Sequence, residues 1–298
     1  MQQPGELAHS HVLYRSDREL LDRTVDALGA AVDDGDAVLV CLPEAEADLV
    51  GAALGPAKAK DVTFVAASTR YARPVDAMTM LHDFVGAALE HGHRRVHSYG
   101  SIAFSGAAAD TPWFRYEAAV NRVFAGVPLT AVCLTDAATT SAAVVAALEL
   151  LHGTHGHDAA AEDRFLRGLP PSGALPARAP DLITDGTGAE ARRAVADAFG
   201  ATLGEQRTHD LQLVLTELIS NAQRHAGGAA RTQVWVDDAV TVAVTDDADG
   251  IADPAAGLCP IGTDDGGRGL WIVHQLCERV DFVAGAPGHT VCAVLREP

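Results

Sequence analysis

The stretch ELISNAQRHA, Glu217 to Ala226, decides how the C-terminal half of this chain is read. Glu217, Asn221 and His225 step by four and so share one face of a helix. Leu211, Leu215, Leu218 and Ala222 form a neighbouring apolar stripe that can pack on a sheet, which leaves the polar row at the rim of the packing surface. Taken alone, such a row reads more simply as a solvated helix face.

Three more segments follow in order. VAVTDDADG is an apolar strand that runs into acidic and glycine residues from Asp246 to Gly250. A carboxylate at a strand end can accept a hydrogen bond from an exocyclic amine, and a glycine lets a ligand approach the backbone. GGRGLWIVHQL places Gly266, Gly267 and Gly269 at the start of an amphipathic helix, where free N–H groups and the positive dipole end suit a phosphate and Arg268 adds charge. GAPGHTVCAVL turns into a closing strand that has Thr290 at its beginning. Singly these are an acidic turn, a glycine-rich helix start and a hairpin.

Around these segments the pattern from about Leu182 is two helices (about Gly188 to Leu203 and Glu205 to His225), strands RTQVWV and VTVAVTD, a Gly/Pro/Asp-rich loop, a helix from about Arg268 to Glu278, and strands VDFVAG and TVCAVLRE. That order predicts a two-layer α+β sandwich with one mixed sheet. Before it, HGTHGHDAAAEDRFLRGLPPSGALPARAPDL carries prolines at 170, 171, 176 and 180 and reads as a helix-free linker. From the N-terminus to about residue 155, short apolar strands (AVLVCL, VTFVAA, RVHSY, LTAVCL) alternate with amphipathic helices, which predicts an α/β domain with a mainly parallel sheet and helices on both faces. The expected division is 1–158, a Pro-rich linker at 159–181, and 182–298.

Composition sets outer limits. The 298 residues suffice for two domains, and 48% hydrophobic with 21% charged residues excludes a disordered polymer. With 40 Asp plus Glu against 22 Lys plus Arg, the net charge of −18 argues against direct nucleic-acid binding, because a phosphate backbone needs a field of the opposite sign. No apolar run approaches the roughly 18 residues of a membrane helix and no signal-like start is visible, so the expectation is a cytoplasmic protein that binds no membrane. Cys41, Cys133, Cys259, Cys277 and Cys292 are odd in number and lack CxxC spacing, and they read as small buried hydrophobes. His152, His155 and His157 lack matching ligand spacing and read as a solvated cluster, while His91, His93 and His97 suit a helix C-terminal interaction.

ELISNAQRHA, DDADG, GGRGL and GHTV, in that order, resemble the N, G1 and G2 boxes and final threonine of the GHKL (HATPase, Bergerat-fold) superfamily, and more narrowly the Ser/Thr-kinase anti-sigma factors of the RsbW type. The resemblance covers about 182–298. It implies ATP and Mg²⁺ as cofactors, with Asn221 holding the metal, Asp246 binding the adenine amine, and Thr290 assisting. Gly250, Gly267, Arg268 and Gly269 complete the nucleotide-binding set, with Gly267 and Gly269 under the phosphates and Ile251 to Gly266 forming a lid. Glu217 matches the general-base position that accepts the proton of a protein hydroxyl. Two positions depart from the pattern: Ala248 stands in the middle of the G1 box, and His289 stands where a small or hydroxyl residue is common.

The first half resembles the MEDS sensory family. The residues that carry this are His11 and Tyr14 in HVLYRSD, Glu117 in RYEAAVNRVF, Cys133 and Asp136 in VCLTD, and His155 in HGTH. Joined to an RsbW-like kinase it is similar to RsbA-type anti-sigma regulators. The implied function is a sensor-coupled switch in transcription regulation and stress response. The C-terminal domain would hold an alternative sigma factor and phosphorylate a STAS-domain anti-anti-sigma antagonist on serine or threonine, and an unknown small-molecule or protein signal would act at the N-terminal domain. RsbW-like kinases are commonly dimers, so a homodimer is a further expectation. Two other readings stay open: a sensor histidine kinase, against which His209 in THDLQL lacks the acceptor pattern, and a catalytically silent ATP-gated binding module.

Overall fold

A computed structural model of the chain describes residues 6–105, 110–152, 159–171, 173, 175–226, 230–247, 253, 255–259, 268–284 and 288–297. The chain divides into two compact units, 1–166 and 167–298.

The first unit opens with β1 (Ala8–Tyr14), a strand that the alternating pattern does not reveal because His9, Ser10 and His11 interrupt its apolar run. Ser16 then caps α1 (Asp17–Asp33): its side chain accepts from the Glu19 amide, and Glu19 accepts in turn from the Arg15 amide. Leu20, Thr24, Leu28 and Ala31 bury the inner face of α1. β2 (Ala37–Cys41) is buried at all five positions, as expected for a strand covered on both sides. Next come α2 (Glu44–Leu54), α3 (Pro56–Ala59), β3 (Val62–Phe64), α4 (Ala67–Arg70), α5 (Pro74–Glu90) and β4 (Val96–Gly100). α6 (Thr111–Val123), β5 (Leu129–Asp136) and α7 (Ala142–His152) follow. The five strands are all parallel in the order β1-β5-β4-β2-β3. β2 leads outward to β3 while β4 leads the opposite way to β5, so the strand order reverses between β2 and β4. In open α/β sheets ligands bind at the carboxyl ends of strands flanking such a reversal.

The linker expectation fails in its first part. Residues 159–168 form α8 (Ala159–Gly168), with Glu162 and Leu166 buried. AAAEDRFLR is a run of good helix formers, and Pro170 and Pro171 lie beyond the helix's end rather than inside it. Glu162 accepts from Asn121 and pairs with Arg122, both on α6, so the helix packs onto the first unit.

In the second unit, β6 (Leu182–Thr184) precedes the long α9 (Gly188–Ala226), which is two helices joined at Gly204 with φ 77°. Glycine serves there because that backbone conformation strains other residues. β7 (Arg231–Val236), β8 (Val240–Asp246), α10 (Gly269–Leu276), β9 (Cys277–Ala284) and β10 (His289–Leu295) complete the unit. The sheet order is β6-β7-β8-β10-β9, and every described pairing is antiparallel, where a mixed sheet was expected. α10 ends two residues before the expected Glu278, and its chain passes directly into β9. The stripe Leu211, Leu215, Leu218 and Ala222 lies in one core with Val242 and Val244 of β8, Val291 and Ala293 of β10, and Val273 of α10. Both helices therefore cover one sheet face. On a second cluster Trp235 packs with Ala243 and Cys292 and donates its indole N–H to the Arg178 carbonyl at 3.0 Å. Among the described residues no helix is long and apolar enough to cross a membrane.

Candidate functional site

Glu217 and Asn221 sit on the second half of α9, one turn apart. The core packing of Leu215, Leu218, Ile219 and Ala222 fixes the rotation of that helix and leaves both polar residues half-buried. α10 begins at Gly269, with Arg268 exposed at its N-cap. A β-carbon on Gly269 would stand 2.5 Å from Glu217 Oε2, so the carboxylate lies against the first turn of α10 and only glycine leaves it that room.

A second pair of expected residues meets across the sheet. Thr290 pairs with Thr245, their hydroxyls 2.8 Å apart, and His289 pairs with the buried Asp246. Gly288, at φ 78°, lets the chain enter β10 closely: a β-carbon there would stand 1.8 Å from the Asp246 carbonyl oxygen. His289 is buried and stacks on Phe282 with ring centroids 6.2 Å apart, which accounts for an aromatic residue at that position. Gly250, Gly267 and Ala248 lie outside the described residues, as does most of the expected lid. Of the lid, Ala255, Leu258 and Cys259 are buried, and Gly257 (φ 80°) packs against Leu270 and His274 of α10.

In the first unit, polar residues gather on one face of the β1–β5 pair. His9 Nε2 lies 3.2 Å from Glu117 Oε2 and 3.4 Å from Cys133 Sγ; the thiol donates to the same Glu117 oxygen at 3.1 Å. His152, at the end of α7, brings its Nε2 within 3.2 Å of that oxygen. Burial pushes the Glu117 carboxyl up, but the facing His152 and His9, when a proton stands on their Nε2 atoms, outweigh it and hold the group below the usual carboxylate range. Burial lowers His9, and burial with the adjacent Glu117 raises the Cys133 thiol. His11, the histidine singled out from the sequence, instead contacts Thr135 Oγ1 at 3.0 Å and stacks on His152; burial and that neighbour lower it to about 4.

Two sequence expectations are thereby corrected. Cys133 belongs to a polar cluster rather than to the apolar core, and the buried Cys41 accepts from the Arg70 guanidinium at 3.2 Å, whereas Cys277 and Cys292 sit in apolar clusters. His152 is buried rather than solvated, while His155 and His157 lie outside the described residues. His91 does bond the helix end, at 2.6 Å from the Ala87 carbonyl, whereas His93 and His97 reach Gly35 and Asp36. His9 was missed: His9 and His11 are alike in sequence and both pair beside β5, opposite Ala131 and Cys133, so only their positions along β1 distinguish them.

At the carboxyl ends of β1, β2, β4 and β5 a cavity of about 680 Å³ opens. Tyr14, Glu46, Tyr71, Trp113 and Asp136 are among its lining residues. The Tyr14 hydroxyl donates to Glu46 Oε1 at 2.8 Å, and burial raises both groups.

These features define a two-domain protein that joins a parallel α/β module with a cavity at its strand ends to an antiparallel α+β module. Residues 8–153 match the family model described as MEDS, the methanogen/methylotroph, DcmR sensory domain. Residues 185–295 match the histidine kinase-like ATPase domain. The chain is thus a MEDS sensory domain followed by a histidine kinase-like ATPase domain, a sensor-coupled GHKL regulator. No curated protein matches the chain significantly.

Proposed function

We propose that this protein is a cytoplasmic sensor-coupled anti-sigma factor whose C-terminal domain binds ATP with Mg²⁺ and phosphorylates a serine or threonine of a STAS-domain antagonist. The observation that carries the reading is Glu217 held against Gly269 at the head of α10, one helical turn before Asn221. That arrangement gathers a proton acceptor, an amide oxygen and a helix N-terminus, the groups a phosphoryl transfer needs. Asn221 would hold Mg²⁺ through its amide oxygen, and the ion would neutralise phosphate charge when bound. Asp246 and Thr290, brought together by the β8–β10 register, would take the adenine. Gly267 and Gly269 would sit under the phosphates, with Arg268 adding positive charge and Gly250 completing the nucleotide-binding set.

Glu217 would accept the proton of the partner's hydroxyl as that oxygen bonds the γ-phosphorus and the bond to the bridging oxygen breaks, releasing ADP. Release of the alternative sigma factor would follow the state of the antagonist. The cavity in the first unit has a volume within the range of small-ligand pockets and supports signal input there.

The test incubates the protein with γ-labelled ATP, Mg²⁺ and a candidate STAS partner, beside Glu217→Ala and Asn221→Ala. Label on a partner serine or threonine that vanishes in Glu217→Ala is the expected result. Acid-labile label on the protein itself indicates a histidine kinase, and binding with no transfer to any cognate partner indicates a silent module. Failure to retain a sigma factor with or without nucleotide overturns the anti-sigma role.

A further inference from the structure

We propose that His9, Glu117, Cys133 and His152 form a buried site for one divalent transition-metal ion of the zinc class. This site lies in the first unit and is independent of the ATP reading. It is assembled from four elements, with His9 from β1, Glu117 from α6, Cys133 from β5 and His152 from the end of α7. One donor atom from each lies within 4.8 Å of all the others. Two imidazole nitrogens, a carboxylate oxygen and a sulfur are a ligand set that suits zinc. With metal–ligand bonds of about 2.0–2.3 Å, the edges of a tetrahedral site run roughly 3.3–3.8 Å. The separations of 3.1–3.4 Å around Glu117 Oε2 and His9 Nε2 need a few tenths of an ångström of expansion, and the remaining ones, within 4.8 Å, a contraction of up to about 1 Å.

The hydrogen bonds behind the cluster decide which way the imidazoles face. Asn121 Nδ2 donates to the Leu151 carbonyl at 2.9 Å and to Glu162 Oε2 at 3.0 Å, which turns its Oδ1 toward His9 Nδ1 at 2.8 Å. His152 Nδ1 lies 2.7 Å from the Leu148 carbonyl. Both acceptors are carbonyl oxygens, so each Nδ1 carries the proton, and each neutral ring presents an Nε2 lone pair to the cluster. This is the second-shell pattern that orients metal-binding histidines.

Without a cation these lone pairs face a carboxylate. Glu117 Oε1 and His152 Nε2 are buried and make no hydrogen bond, and their side chains are 1% and 2% exposed. Leaving such atoms unsatisfied is costly. Protonating both rings instead would bury a net positive charge beside a single carboxylate. A divalent ion answers both problems. It accepts both lone pairs and, once the Cys133 proton leaves to solvent, its two charges are balanced by the carboxylate and the thiolate. The site is then neutral, which suits its burial.

The test uses the full chain, stripped with a chelator and titrated with Co²⁺ as a spectroscopic probe, then with Zn²⁺. The expected result is one Co²⁺ per chain with a thiolate-to-cobalt charge-transfer band, displaced by one equivalent of Zn²⁺. Cys133→Ser removes the band, Asn121→Ala weakens binding roughly 10- to 100-fold while keeping it, and His91→Ala changes neither. Binding that survives Cys133→Ser and Glu117→Gln unchanged, or no stoichiometric binding, overturns the site in favour of a proton-only network. X-ray absorption of the zinc-loaded wild-type chain needs no variant: one sulfur with three nitrogen or oxygen neighbours supports the site, and a sulfur-free shell overturns it.

Discussion

Glu217 occupies the space that a side chain at Gly269 would need: a β-carbon there would stand 2.5 Å from Oε2. The two residues lie 52 positions apart and meet because α9 and α10 cover the same sheet face. Gly269→Ala must therefore displace the carboxylate. The displaced atoms end a flexible side chain, so the melting temperature should move little. Phosphate transfer to a partner should fall on the order of 10²-fold, because a misplacement of about 1 Å suffices for that. Paired melting curves and transfer assays check the split.

Gly288→Ala should be worse for stability than for local chemistry. Its φ of 78° strains any L side chain, and the new carbon would strike the Asp246 carbonyl at 1.8 Å, a backbone atom that cannot swing aside. We expect a loss of about 1–3 kcal/mol in urea unfolding, with nucleotide binding weakened through the Asp246–Thr290 end of the sheet.

Leu166→Ala tests where the first domain ends. Leu166 is 4% exposed on α8, so truncation should cost about 2–5 kcal/mol, as for a core leucine. A residue in an extended linker would cost almost nothing. Chemical denaturation of the full chain distinguishes the two.

Asp181 should titrate at about 2, held down by the paired guanidinium of Arg178 and by the Val236 amide. Its folded value lies below its unfolded one, so its stabilising contribution is complete above about pH 4. It is lost as pH falls through the folded value. An NMR titration reads the value directly, and Arg178→Ala should return it toward the ordinary aspartate range.

The local pattern carried most of the second unit. The step of four from Glu217 to Asn221 and the stripe from Leu211 to Ala222 depend only on helical periodicity, and both are where that periodicity puts them. The break at Gly204 was legible for the same reason. Antiparallel pairing throughout was not, because strand direction depends on how the chain crosses the sheet and leaves no mark on the alternation of side chains.

The first unit shows the limit more sharply. β1 hid behind its histidines, and α8 hid behind the prolines that follow it. By itself the sequence determined the alternation of apolar strands with amphipathic helices in the first half, the change of pattern in the second and the residue types available for chemistry, because these follow from periodicities of two and 3.6 and from composition. Only the tertiary structure decided that His9 rather than His11 meets Glu117 and Cys133, and that Glu217 meets Gly269. Those meetings depend on sheet order and on which helix covers which strand, and contacts between residues so distant along the chain are fixed by packing, which no local spacing encodes.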